Sequence, residues 1–154
     1  MVEMEGVTNR FTGCRTLGRM PQLTAFGLAE AMAHSTTTLD VKNFGAYEFS
    51  PTSLPQDIEL YAAVGALRDT TAESGAQMDV RIELTRPDGS TDPERHVFEL
   101  VSSWDGPGAD RPLQPTVFPV ALPVSLDQAG TWRISVGLDG ATPSLAGAFF
   151  VVEP

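Results

Sequence analysis

Apolar residues recurring at every second position constrain this chain more than any other feature. Met78, Val80, Ile82 and Leu84 alternate without interruption with Asp79, Arg81, Glu83 and Thr85, and Trp132, Ile134, Val136 and Leu138 alternate with Arg133, Ser135 and Gly137. Successive side chains of a strand point to opposite faces, so this period marks half-buried strands and argues against helix over those stretches. Phe118, Val120, Leu122, Val124 and Leu126 repeat the pattern. Further strands are expected over about 96–104, with Phe98, Leu100 and Trp104 on one parity, and over 148–152. Between them lie segments with turn chemistry: Arg86-Pro87-Asp88-Gly89-Ser90, Asp127-Gln128-Ala129-Gly130 and the hairpin-type pair Asp139-Gly140.

The first half is less regular. Residues 57–69 place Ile58, Leu60, Ala62 and Val64 on one parity, and 37–49 contribute Leu39, Val41, Tyr47 and Phe49. The segment LTAFGLAEAMA, residues 23–33, is rich in helix-favouring Ala, Leu, Glu and Met. Gly27 weakens a helix there and the surroundings are β, so it is read as a strand. The 14 glycines and 12 prolines among 154 residues exceed the roughly 12% of ordinary proteins and agree with many turns and few long helices. The expected fold class is all-β: a two-sheet antiparallel β-sandwich of about eight strands. It would fill residues 21–154 as one domain, after a loose tail over 1–20. That tail has no sustained period and carries Arg10, Arg15 and Arg19 against Glu3 and Glu5. It is read as a loose extension, with Met20 a candidate natural start, in preference to a basic docking arm or a targeting peptide.

Two prolines refine one placement. Pro119 and Pro123 are four residues apart, so both missing amide hydrogens belong to the same side of a strand. A central strand cannot lose two ladder donors on one side, which places strand 117–126 at a sheet edge with that side open or bulged.

Charge and cysteine usage narrow the function classes. A formal net charge of −10, from 20 acids against 10 bases, disfavours nucleic acid and anionic membrane surfaces as partners. No apolar run reaches the length of a membrane helix, and no secretory signal is visible, so the expected location is cytoplasmic. The single Cys14 excludes an internal disulfide. Only two histidines occur, His34 and His96, which excludes a three-histidine metal site within one chain. His34 falls in a turn sequence, His34-Ser35-Thr36-Thr37, and His96 at a strand start beside Glu94 and Arg95; both are read as structural, His96 as a plain strand-end or partly exposed residue. Cys14, next to Arg15, is read as an incidental thiol. Asp88, Ser90, Asp92 and Glu94 cluster oxygens as calcium favours, but the glycine position and Pro93 do not fit a calcium loop, and a solvated hairpin turn is expected. No phosphate-binding glycine motif and no nucleophile elbow occur. Catalytic, cofactor and metal residues are therefore expected to be none.

The irregular segment 102–116, SSWDGPGADRPLQPT, is the most informative loop. Long structureless loops are uncommon and often functional. Trp104 offers an aromatic anchor, with Asp105, Asp110 and Arg111 adding charges of both signs, so these four residues form the candidate interaction surface. The alternative is a crossover between sheets with Trp104 tucked into the core.

The order of features from Leu23 to Val152 resembles a group of small uncharacterised bacterial β-sandwich proteins. Leu54-Pro55, Arg86-Pro87-Asp88-Gly89, Ala129-Gly130-Thr131-Trp132 and Leu138-Asp139-Gly140 carry the resemblance. The C-terminal half also resembles immunoglobulin-like and macroglobulin-like modules. The resemblance implies an immunoglobulin-like sandwich and no catalytic residues. The expectation is a non-catalytic acidic module for binding or assembly, with protein partners and self-association possible. The competing classes are a small enzyme or ligand carrier with a site between the sheets, and a component of a virion or other large assembly.

Overall fold

The computed structural model of the chain describes residues 21–34, 39–42, 45, 48–69, 77–102 and 113–154. The expected tail, residues 1–20, lies outside them. Ten strands form and no helix occurs among the described residues: β1 (Gln22–Ala29), β2 (Ala31–His34), β3 (Leu39–Lys42), β4 (Glu48–Phe49), β5 (Gln56–Asp69), β6 (Met78–Thr85), β7 (Val97–Ser102), β8 (Leu113–Leu126), β9 (Gly130–Leu138) and β10 (Ser144–Val151). They build a three-stranded sheet, β1-β5-β8, a five-stranded sheet, β4-β10-β9-β6-β7, and the separate hairpin β2-β3.

Segment 23–33 is extended as expected, but as two strands that part at Glu30. Helix propensity loses there because β1 lies antiparallel along β5, where Leu28 and Ala29 become buried. Two expectations are corrected. The ladders are not all antiparallel, because the short β4 runs parallel to β10, and ten strands replace the expected eight or so. Strand β8 also starts at Leu113, so the C-terminal part of the supposed 102–116 loop is strand, paired with β5 as far as Asp69↔Leu113.

The clean alternation sets the core. Met78, Val80, Ile82 and Leu84 of β6 and Trp132, Ile134, Val136 and Leu138 of β9 are buried, while Asp79, Arg81, Arg133 and Thr131 face out. Leu60, Ala62, Val64 and Ala66 of β5 and Val120, Leu122, Val124 and Leu126 of β8 bury the facing layer, and both sets belong to one hydrophobic cluster. Two face-to-face sheets sharing one apolar layer make a sandwich. The turns use the residues they demand. Asp139 and Gly140 both have positive φ, 46° and 77°, and the Ala141 amide bonds the Leu138 carbonyl at 3.0 Å, which is the primed turn that matches strand twist. Gly130 has φ 119°, and a Cβ there would stand 3.0 Å from the Pro87 ring.

A row of rings crosses the five-stranded sheet inside the core. Phe49 meets Phe149 edge-on at 5.3 Å, Phe149 stacks parallel to Trp132 at 6.0 Å, and His96 meets Trp132 edge-on at 5.0 Å. Trp132 is fully buried and its indole N–H donates to the Gln128 carbonyl at 3.0 Å.

Candidate functional site

Strands β7 and β8 end their respective sheets and together line a groove formed by Leu100, Val101, Phe118 and Pro119, so both edges lie on one flank of the sandwich. They handle their free backbone in opposite ways.

In β8, Pro115, Pro119 and Pro123 share one parity and pair in register with Leu67, Ala63 and Glu59. A residue whose amide and carbonyl bond β5 must have an N–H, so the even positions hold the ladder and the odd ones face outward. Every second outward donor is therefore missing, and β8 is an edge as its prolines require. The outward carbonyl of Ser125 is taken as well, because His96 Nε2 donates to it at 2.9 Å. A carbonyl only accepts, so this bond requires a proton on Nε2. The other ring nitrogen, Nδ1, is buried with no hydrogen-bond partner among the described residues.

This corrects the reading of His96. It does sit just before β7, but it is wholly buried, not partly exposed. The reason is local. Its amide bonds the Asp92 carbonyl and its carbonyl receives the Leu84 amide, both at 2.8 Å, so the segment turns the imidazole inward against Trp132. The side chain thereby bridges from the five-stranded sheet to the free edge of the three-stranded one.

In β7 the outward backbone is intact. The Leu84 amide bonds the His96 carbonyl, and the β6–β7 register pairs Ile82 with Phe98 and Val80 with Leu100. With a period of two, the even residues of β7 bond β6, and the amides and carbonyls of Val97, Glu99 and Val101 point away. The Asp139 amide bonding the Asp79 carbonyl at 2.8 Å fits this parity, since odd residues of β6 then serve β9. Among the described residues no strand pairs with the outer side of β7, and VFELVS contains neither proline nor glycine. The other edges are poorer: β4 has two residues, and β1 is irregular between Leu23 and Ala25.

Side chains on this flank divide by face. Phe98, Leu100 and Phe118 are half-buried on the core side, beside a groove of about 270 Å³. Val101 and Val117 are 57% and 52% exposed. On the outer side, Glu99 shares Arg81 with Glu83: Arg81 Nη1–Glu99 is 2.8 Å and Arg81 Nε–Glu83 is 2.7 Å. These carboxylates, Glu83 foremost, hold the Arg81 guanidinium above its ordinary value. Asp79 and Asp139 adjoin them, since Asp139 Oδ1 accepts the Asp79 amide at 2.9 Å. Glu83 and Glu99 thus share one guanidinium next to the free edge, and Asp79 lines the same outer cleft. A second cleft of about 680 Å³ lies at the His96 end of the flank, with Asp57, Glu94 and Arg95 at its rim and Ile58, Phe98 and Val124 in its wall.

The loop residues Asp88 to Glu94 are held by their own turn. Asp88 accepts the Ser90 amide and hydroxyl and the Gln128 side-chain amide, at 2.7–2.8 Å, and Asp92 accepts the Glu94 amide at 2.9 Å. Arg86 clamps Asp127 with Nε and Nη2 and reaches Asp92 at 3.5 Å. The side-chain oxygens of Asp88, Ser90 and Asp92 thus have partners within the protein. The candidate surface Trp104, Asp105, Asp110 and Arg111 lies outside the described residues, as does Cys14. His34 is the last residue of β2, where a turn was expected.

The sequence did not single out β7, whose outer side pairs with no strand among the described residues. Nothing in VFELVS marks an edge, so the sequence carried no signal for it. By fold and site, the molecule is an all-β sandwich with one flank where a blocked edge and an intact edge lie together. The chain matches no protein-family model and no curated protein.

Proposed function

We propose that this chain is a non-catalytic, immunoglobulin-like binding or assembly module, and that it engages a protein partner along the β7–β8 flank. The observation that carries the reading is the intact outward backbone of Val97, Glu99 and Val101 beside half-buried Phe98, Leu100 and Phe118. Edge strands are a hazard that proteins usually blunt. Here β8 is blunted by proline, and among the described residues nothing pairs with the outer side of β7, which supports a use for that edge. A cytoplasmic setting and the resemblance to small bacterial sandwich proteins belong to the same proposal. The cleft of about 680 Å³ at the His96 end has the size of a small-ligand site and favours a ligand carrier as the second reading.

Hydroxyl-radical footprinting of the full chain in native cell extract and in buffer separates these readings. Loss of labelling at Phe98, Leu100, Val101 and Phe118 in extract supports the module. Unchanged labelling on this flank overturns it, and protection confined to Ile58 and Pro123 that persists after macromolecules are filtered out establishes the carrier instead.

A further inference from the structure

Resting on the module reading, we infer that the partner is an extended peptide segment with basic and apolar residues in alternation, which adds to the outer side of β7 as a further strand of its sheet. The argument combines three features of one edge. First, the backbone template is regular over Val97–Ser102, and its outward donors and acceptors lie two residues apart, as strand addition requires. Second, a residue set opposite Glu99 would share its outer face, because facing residues in a ladder project to the same side. That face carries Glu99, Glu83 and Asp79 against Arg81, with Arg133 farther from the edge on β9, so lysine or arginine is the complementary choice. Third, the residues on either side of that position would project inward, towards Leu100 and Phe118, where the groove of about 270 Å³ admits apolar side chains of moderate size.

A second copy of the chain fits less well. Each copy carries a net charge of −10. A two-fold register centred on Glu99 would set two carboxylates face to face, and one centred on Leu100 would leave Glu99 opposite valine. Neither arrangement neutralises Glu99, whereas a basic residue set opposite it does.

The test uses the full chain and an acetylated octapeptide alternating lysine and valine, with a glutamate–valine octapeptide as control. Binding is read by fluorescence anisotropy, and the contact by amide exchange. The lysine peptide is expected to bind at least ten-fold tighter than the glutamate peptide, to weaken as salt rises, and to slow exchange at Val97, Glu99 and Val101. Glu99→Lys is expected to reverse the preference between the peptides. Glu99→Pro removes an outward N–H and no bond to β6, and is expected to weaken binding more than ten-fold. No binding of the lysine peptide at millimolar concentration overturns the inference, as does binding that both variants retain. Slow exchange at the three amides that appears with protein concentration alone assigns the edge to a second copy. If the peptide fails while footprinting still shows the flank covered in extract, the partner chemistry is wrong and the module reading stands. If the flank stays uncovered, the module reading itself falls.

Discussion

Trp132 connects the row of rings at the level of single residues. It lies parallel to Phe149, is edge-on to His96, and spends its indole N–H on the Gln128 carbonyl. Trp132→Ala removes all three contacts from a fully buried site, and should cost about 3–5 kcal/mol by urea titration. A loss below about 1 kcal/mol would mean the ring does not fill the core. Its burial was legible in the sequence, because it heads a strand with unbroken alternation. The burial of His96 was not. Nothing in Glu94-Arg95-His96 distinguishes an imidazole turned inward from one at the surface, since the cause is the pair of backbone bonds to Asp92 and Leu84. Asp88 gives a second prediction at this scale. The Ser90 hydroxyl, with the Gln128 amide and the Ser90 amide, holds its carboxyl down to about 2. An acid whose folded value lies below the unfolded ~3.9 stabilises the fold above that pH and loses the effect as pH falls from about 4 to about 2. Wild type should therefore exceed Asp88→Asn in urea midpoint at pH 6, and the two should converge near pH 2. A gap that stays constant with pH would assign the effect to shape alone.

Strand β8 shows how far one element can be deduced from its residues. Prolines four apart dictate an edge and also dictate which side is open, before any partner strand is known. The structure adds a third proline in phase, at 115, because the strand begins at Leu113. The sequence could not give that start, since proline and glycine around 106–115 read as loop, and pairing with the long β5 overrides that local preference. The amides of Val120, Leu122 and Val124 should exchange slowly and that of Ala121 quickly, by a factor of at least one hundred, at every protein concentration. Protection of Ala121 that grows with concentration would show copies pairing across the prolines. Strand β7 carries no comparable mark. An ordinary stretch of alternating residues looks the same at an edge as in the middle of a sheet, so its position was legible only in three dimensions.

For the molecule as a whole, polar ties between the two sheets gather at one end. His96 reaches from the start of β7 to the Ser125 carbonyl on β8, and Arg86, after β6, grips Asp127, after β8. Both ties close the end where β8 leaves the three-stranded sheet and β9 enters the five-stranded one. The apolar layer between the sheets is non-directional and sets no fixed alignment, whereas a two-point guanidinium–carboxylate contact does. The Arg86 side chain is 15% exposed, so the pair is far less screened than the Arg81 pairs, whose guanidinium is 45% exposed. Asp127→Ala deprives this guanidinium of its two-point partner and leaves it Asp92 at 3.5 Å and Ser90 at 3.3 Å. The expected loss is about 1–2 kcal/mol in urea unfolding, with Asp127→Asn intermediate because one acceptor remains. Arg81→Ala should leave the midpoint unchanged within error. Exchange in the Asp127→Ala protein should accelerate first at the amides of Gly130, Thr131 and Ser90, next to the broken tie, while those of Val80 and Val136 in the middle of the sheet keep their wild-type rates relative to global unfolding. Uniform acceleration across both sheets would show instead that Arg86 contributes to overall stability without aligning that end.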